Sequence, residues 1–258
     1  MSEVANFAIF KRHADGHGSL LLPNSTEYTY IVSAINLAVE LLSTSHGRHC
    51  MANLCIQFDD TVQEQVWYPR LNGNSSIAQQ RVDKFLEAIR TAFPIVCVDE
   101  TISTPDILAC HPRGEWIGDF NPRQQAVNLN ASVCARVAYI SIISNYRKRV
   151  DDMVKAASSG DGPNFRVFQF LFANTFLHEI GGHLLITYLG QGKIATPKCI
   201  QHPLYAGGEA GRALERMMLG GSLEYFRDKN QGNGQASCPA SEENISNCSH
   251  SSLAFLTY

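Results

Sequence analysis

Two histidines and a glutamate stand where polar side chains are out of place. His178, Glu179 and His183 lie between Phe176-Leu177 and Leu184-Leu185-Ile186. Val167, Phe168, Phe170, Leu171 and Phe172 lead into them, so the run from Asn164 toward Leu189 is apolar on nearly every side. A helix of that kind belongs in the middle of a domain. Burying two imidazoles and a carboxylate there unpaired would cost several kcal/mol. A metal ion relieves the cost: neutral imidazoles donate lone pairs, and a nearby carboxylate gains a cation or a bound water as partner. Two other readings fit the same residues. The histidines could be core residues hydrogen-bonded to backbone or to Glu179, or one of them could be a metal-free catalytic base.

The segment His178-Glu179-Ile180-Gly181-Gly182-His183 resembles the metal-binding helix of the zincin metallopeptidases, whose motif is H-E-x-x-H. Downstream, Glu209-Ala210-Gly211-Arg212-Ala213-Leu214-Glu215 is similar to the second helix of the small gluzincin peptidases. The resemblance spans residues 165–225. It implies Zn(II) held by His178, His183 and Glu209, with Glu179 as general base on a metal-bound water. Glu209 also reads as a carboxylate stabilising a helix N-terminus without any metal. Glu215 is the reserve ligand, or else a surface partner of Arg212 or Arg216. Two histidines and a carboxylate with open positions also accept Fe(II).

The spacing departs from the family pattern by one residue. Histidines four apart on an α-helix differ by about 40° of rotation and ~6 Å of rise, so both face one ion. Five apart, the separation is roughly 140° and ~7.5 Å, and a straight helix cannot bring both rings to one metal. A π-bulge absorbs an extra residue, and Gly181-Gly182 is where the helix would most readily distort or end.

Other polar residues are weaker candidates. Tyr188, Tyr205 and Tyr225 could each place a phenol near the metal to stabilise an oxyanion. Tyr225 is assigned that catalytic role, with a backbone-bonded buried tyrosine as the alternative. His111-Pro112-Arg113-Gly114-Glu115-Trp116 could line a substrate cleft, or form a turn and an exposed hairpin edge. His202 lies in the loop expected to cross above the site. His46 and His49 read as loop residues. No glycine-rich phosphate loop and no Gly-x-Ser-x-Gly elbow is present.

The elements that must position these groups follow from periodicity. Thr26 to Leu42 reads as a helix through Ile31, Ile35, Ala38, Val39 and Leu42, ended by His46-Gly47. Met51 to Phe58 alternates like a strand, and Val62 to Tyr68 continues it as a meander. Asn74 caps a helix through Ala92, with Val82, Phe85, Leu86 and Ile89 on one face. Ile95 to Val98 is a short buried strand. Glu115 to Phe120 and Ala126 to Leu129 are two more strands joined by an Asn-Pro turn. Ala131 to Ala157 is a long amphipathic helix, and residues 158–163 break the chain. A short helix spans Glu209 to Leu219 and closes at Gly220-Gly221. Leu223 to Phe226 forms one more ordered segment, and Leu253 to Tyr258 could dock.

The expected fold is α+β and zincin-like: a small mixed sheet packed on helices, with the metal-binding helix central. Residues 1–229 form one domain and 230–258 a Gly/Asn/Ser-rich tail. The chain has 258 residues, 45% hydrophobic and 17% charged, with net charge −3, the composition of a soluble globular protein. No basic patch beyond Arg147-Lys148-Arg149 suggests nucleic acid or membrane as partner. Val4 to Phe10 is too short for a secretion signal and is followed, not preceded, by Lys11, Arg12 and His13. The eight cysteines form no CxxC pair and read as reduced, which fits a cytoplasmic setting. The N-x-S/T sequons at Asn24, Asn74, Asn130, Asn244 and Asn247 are then chance matches.

The expected activity is a zincin-type metal-dependent hydrolase acting on a peptide or small molecule. The alternatives are a non-hydrolytic metalloenzyme on the same scaffold (isomerase, cyclase or oxygenase) and a binding module in which the motif has decayed. Substrate, metal identity and oligomeric state are not readable from the sequence.

Overall fold

Ser25 starts the first helix by accepting the Tyr28 N–H on its hydroxyl at 3.2 Å. The computed structural model describes residues 7–62, 69–102, 109–113, 119–131, 162–192, 194, 196–197, 200, 208–223 and 255–256. Helix α1 spans Thr26–Ser43 and buries Ile31, Ala34, Ile35, Ala38 and Leu42 at helical spacing. The chain then turns at Thr44, whose extended backbone (φ −61°, ψ 159°) ends α1 and caps α2, Ser45–Thr61. The Thr44 hydroxyl accepts the Gly47 N–H at 2.9 Å.

Helix α2 overturns the expected strand over Met51 to Phe58. Leu54, Ile56 and Phe58 do alternate, but residues four apart satisfy a helix as well as a strand. The side chains actually buried are Cys50, Met51, Leu54, Cys55 and Phe58, a helical stripe. His46 and Gly47 therefore open a helix instead of closing one, and neither His46 nor His49 is in a loop. The continuation expected at Val62 to Tyr68 lies outside the described residues except for Val62, which ends α2 in an extended conformation.

Helix α3, Ser75–Thr91, forms as expected. Asn74 Oδ1 accepts the N–H groups of Ser76 and Ile77 at 3.0 and 3.2 Å, and Val82, Phe85, Leu86 and Ile89 are buried.

The sheet is mixed, in the order β2-β1-β3-β5-β4. Its strands are β1 (Ile9–Arg12), β2 (Gly18–Leu20), β3 (Ile95–Asp99), β4 (Ala109–Cys110) and β5 (Ala126–Asn130). Strands β1, β3 and β5 run parallel, with Ile9 opposite Val96 and Val96 opposite Val127. The outer strands β2 and β4 are antiparallel to their neighbours. Ile9, Val96, Val98, Val127 and Leu129 join the helices in one core. A strand over Glu115 to Phe120 is not formed at its described end, Asp119 and Phe120; β4 is the strand that pairs with β5. The expected Asn-Pro turn is present, with Asn121 Oδ1 accepting the Arg123 N–H at 3.0 Å.

The apolar run becomes one continuous rod: α4 (Gly162–Phe176), a π-helical segment (Leu177–Leu184) and α5 (Leu185–Gly190). Helix α4 packs along α1, and Gln169 reaches Ser33 Oγ at 2.5 Å. Helix α6 covers Ala210–Leu219 and ends at Gly220 in the left-handed conformation, φ 78°. Beyond it β6 (Ser222–Leu223) pairs antiparallel with β7 (Phe255–Leu256), and the rest of the Leu253 to Tyr258 stretch lies outside the described residues. The helix expected over Ala131 to Ala157 lies outside the described residues apart from Ala131. Among the described residues no helix is long and apolar enough to cross a membrane.

The α1–α2 corner rests on close approach. A Cβ at Gly47 would fall 2.8 Å from the Leu42 carbonyl oxygen, with the Leu41 carbonyl nearer still. Gly47→Ala should therefore lower the unfolding free energy in urea by about 2 kcal/mol or more, against a gain of a few tenths if helix propensity alone decided.

Candidate metal centre

Regular α-helical bonding stops at Phe176. Over the next eight residues the helix is π-type, and the Leu185 N–H that closes it is shared between Ile180 O and Gly182 O. The bond to Ile180 is the i→i−5 bond that defines the π form. With five residues in each hydrogen-bonded turn, positions five apart align much as positions four apart do on an α-helix. The rings of His178 and His183 accordingly face the same side, with centroids 5.1 Å apart and planes at 54°.

The glycines do more than permit this distortion. A Cβ at Gly182 would lie 2.5 Å from both the Cα and the N of Gly211 in α6. One at Gly181 would lie 2.5 Å from the side chains of Leu214 and Leu42. One at Gly211 would enter the His178 ring. Three glycines thus let the π segment lie directly on α6, which brings Glu209 at its N-terminal cap and Glu215 in its middle to the histidines.

Glu209 sits at the N-terminal cap position of α6 but makes no capping bond with its side chain. Its Oε1 lies 2.8 Å from His183 Nε2 and 3.3 Å from His178 Nε2. Neither contact is aligned as a hydrogen bond, and this buried oxygen has no hydrogen-bond partner. One ligand atom each from His178, Glu179 and His183 also fall within 4.8 Å of one another. Glu179 is 4% exposed and its Oε2 is buried without a hydrogen-bond partner.

Behind the histidines, Glu215 Oε1 lies 2.7 Å from His178 Nδ1. That bond keeps a proton on Nδ1, so Nε2, facing Glu209, is the nitrogen whose own proton a metal would displace to reach its lone pair. Glu215 is 2% exposed, also accepts from Asn174 Nδ2 at 3.3 Å, and has Arg212 at 3.7 Å. It is not a surface residue: it fixes the orientation of the His178 ring. Asn174 was missed in the sequence, although a polar residue four positions before His178 in an apolar helix was the available signal.

The donor set fits a small divalent cation. Zn–N and Zn–O bonds of about 2.0–2.2 Å around a tetrahedral ion put neighbouring ligand atoms roughly 3.3 Å apart; Glu209 stands at that distance from His178, while its 2.8 Å contact with His183 would have to open on binding. The same two histidines and carboxylate suit Fe(II).

The electrostatics of the metal-free site follow from its contacts. Burial works to lower His178, but Glu215, Glu209 and Glu179 outweigh it and lift the imidazole to about 10. Burial works to raise Glu209, and the two imidazoles beside it hold its carboxyl far below the usual range instead. On the sheet side, burial and then the charges of Glu179 and Asp99 push the Cys110 thiol up. His111, after β4, is pushed down to about 4, first by burial.

The remaining sequence candidates divide. Tyr188 packs its ring against Phe85 and Phe120, at 5.5 and 4.9 Å between centroids. His46 donates to the Met218 carbonyl at 3.2 Å, tying α2 to the end of α6. Tyr225, the assigned oxyanion group, lies outside the described residues, as do Tyr205, His202, Glu115 and Trp116. No protein-family model, curated protein or solved structure matches this chain.

Two outcomes follow from this geometry. Gly211→Ala should abolish zinc binding, read by chelator competition, because the methyl and the His178 ring claim one space. The metal-free protein should be most stable near pH 6.5. Above that, the proton that His178 gains on folding is progressively withdrawn toward pH 10. Below it, the unfolded chain protonates His111 while the folded chain resists until about pH 4. Urea melts across pH 4–10 measure this, and zinc affinity should rise with pH over the same alkaline limb because the metal displaces that proton.

Proposed function

We propose that this chain is a metal-dependent hydrolase of zincin type, acting on a peptide or small-molecule substrate. His178, His183 and Glu209 are the ligands and Glu179 the general base. The observation that carries the reading is Glu209 Oε1: a buried carboxylate oxygen, within 3.3 Å of two imidazole nitrogens, that makes no hydrogen bond with either. Ligand atoms gathered around a common point look like this, whereas a structural histidine–carboxylate pair would align its N–H. The α+β arrangement of a mixed sheet over a central helix suits the same reading.

A bound Zn(II) would supply Lewis acidity and a water acidic enough to react near neutral pH. The chain supplies the rest. Glu179 brings a buried carboxylate oxygen with no hydrogen-bond partner, and as general base it would hold a proton during turnover and release it to a leaving group. Glu215 holds the His178 tautomer. The five-residue spacing favours a second reading, a metalloenzyme that moves protons on a small molecule without hydrolysis, because the π turn shifts Glu179 relative to the ligands of a regular H-E-x-x-H helix.

Purified protein should carry close to one equivalent of zinc or iron, lost in His178→Ala. Glu179→Gln should retain the metal while lowering turnover at least about 100-fold. Metal-free protein that takes up neither ion would rule the site out. Full activity in Glu179→Gln would remove Glu179 from the chemistry.

A further inference from the structure

His111 and Arg113 flank Pro112 just after edge strand β4, and both are polar side chains turned into the protein. Each begins a chain of contacts that ends on a different member of the metal set. His111 Nδ1 lies 2.7 Å from the Ala126 carbonyl of β5, which can only accept, so Nδ1 carries the proton. Its Nε2 lies 3.0 Å from Thr187 Oγ1, and that hydroxyl lies 2.9 Å from the His183 carbonyl oxygen. Thr187 has one proton to give, and the neutral His111, with its lone pair on Nε2, is served when the hydroxyl donates to it, which ties the sheet edge to the rod one turn past His183. Arg113 works through the other ligand. Its guanidinium donates to the Ile194 carbonyl at 3.3 Å and to Thr196 Oγ1. The Thr196 and Pro197 carbonyls close over Gly208, leaving no room for a Cβ. The next residue is Glu209, whose N–H donates to the Ile200 carbonyl of the same loop at 2.8 Å.

We propose that His111 and Arg113 are positioning residues for the metal set, His111 holding the rod one turn past His183 through Thr187 and Arg113 holding Glu209 through the loop around Thr196. This rests on the metal reading above. The two ligands come from separate elements, the π segment and the start of α6, and the sheet-edge segment is tied to both. The choice of residue types supports a role beyond packing. A buried imidazole and a half-buried guanidinium are costly fillers where apolar side chains would serve. Burial pulls the Arg113 guanidinium down and the Glu209 carboxylate pulls it back up, so the two charges also lie within reach of each other.

Threonine substitutions test the chains without touching ligands or clamps. Thr187→Val and Thr196→Val remove one hydroxyl each at nearly constant volume, and Thr187→Ser and Thr196→Ser keep it. On the full chain, with Zn(II) as probe and a chromophoric chelator as competitor, each valine variant should raise the zinc dissociation constant about 10- to 100-fold. Each serine variant should stay within ~3-fold of wild type. Urea melts of the metal-free proteins separate affinity from stability. If Thr187→Val does not fold, the Thr196 pair decides alone, because its site is a loop and not the core rod. Valine variants that bind zinc like wild type overturn the proposal, as do serine variants that lose affinity equally. Wild-type protein that binds no zinc overturns the metal reading, and this one with it.

Discussion

One extra residue between two histidines constrains everything around it. On a regular helix His178 and His183 would point apart, so the rod must change its hydrogen-bond register between Leu177 and Leu184. A π turn is a poor helix when isolated, and something must stabilise it. Here α6 lies against it at backbone distance, Gly182 on Gly211, with Leu42 and Leu214 sealing the side. The close approach that tolerates the π turn is the same one that delivers Glu209 and Glu215. Helix register, glycine placement and acid placement are a single solution.

That solution leaves a concentrated set of charges inside a core of Phe, Leu and Ile. Three carboxylates and two imidazoles share a few ångströms, yet the polar atoms are unevenly satisfied. Glu215 is fully engaged, with His178, Asn174 and Arg212. Glu179 and Glu209 each keep a buried oxygen without a hydrogen bond. Buried polar groups in folded proteins nearly always find partners. The asymmetry separates the oxygens that orient from those that are presented to something else. The same division sorts the nitrogens: His178 gives Nδ1 to Glu215 and turns Nε2 toward Glu209.

Much of this was legible in the sequence, and the failures have physical causes. The out-of-place polar residues in an apolar run point to the rod and to the distortion at its glycines, and Glu209, singled out downstream, lies beside both histidine rings. Helices α1, α3 and α6 followed from caps and periodicity. Helix α2 did not, because Leu54 and Phe58 four apart satisfy both periods and Gly47 looked like a stop signal. Its true role, a close turn against the Leu41 and Leu42 carbonyls, is visible only in three dimensions. Strands β1 and β2 escaped because Lys11 and Arg12 interrupt the first and Leu20 is exposed on the second. Glu215 was taken for a reserve ligand since spacing along a helix cannot say which ring nitrogen a carboxylate meets. For His111 and Arg113 the sequence offers a cleft lining or an exposed turn and hairpin edge, whereas their contacts run inward to Thr187 and Thr196.

The decisive question is whether one ion sits among His178 Nε2, His183 Nε2 and Glu209 Oε1. Anomalous diffraction at the zinc absorption edge, on crystals of zinc-loaded protein, measures this directly. The predicted result is a single strong peak about 2.0–2.2 Å from all three atoms, with Glu215 still on His178 Nδ1. A peak elsewhere, or none at saturating zinc with the Glu209 carboxylate hydrogen-bonded to a histidine N–H, would contradict it.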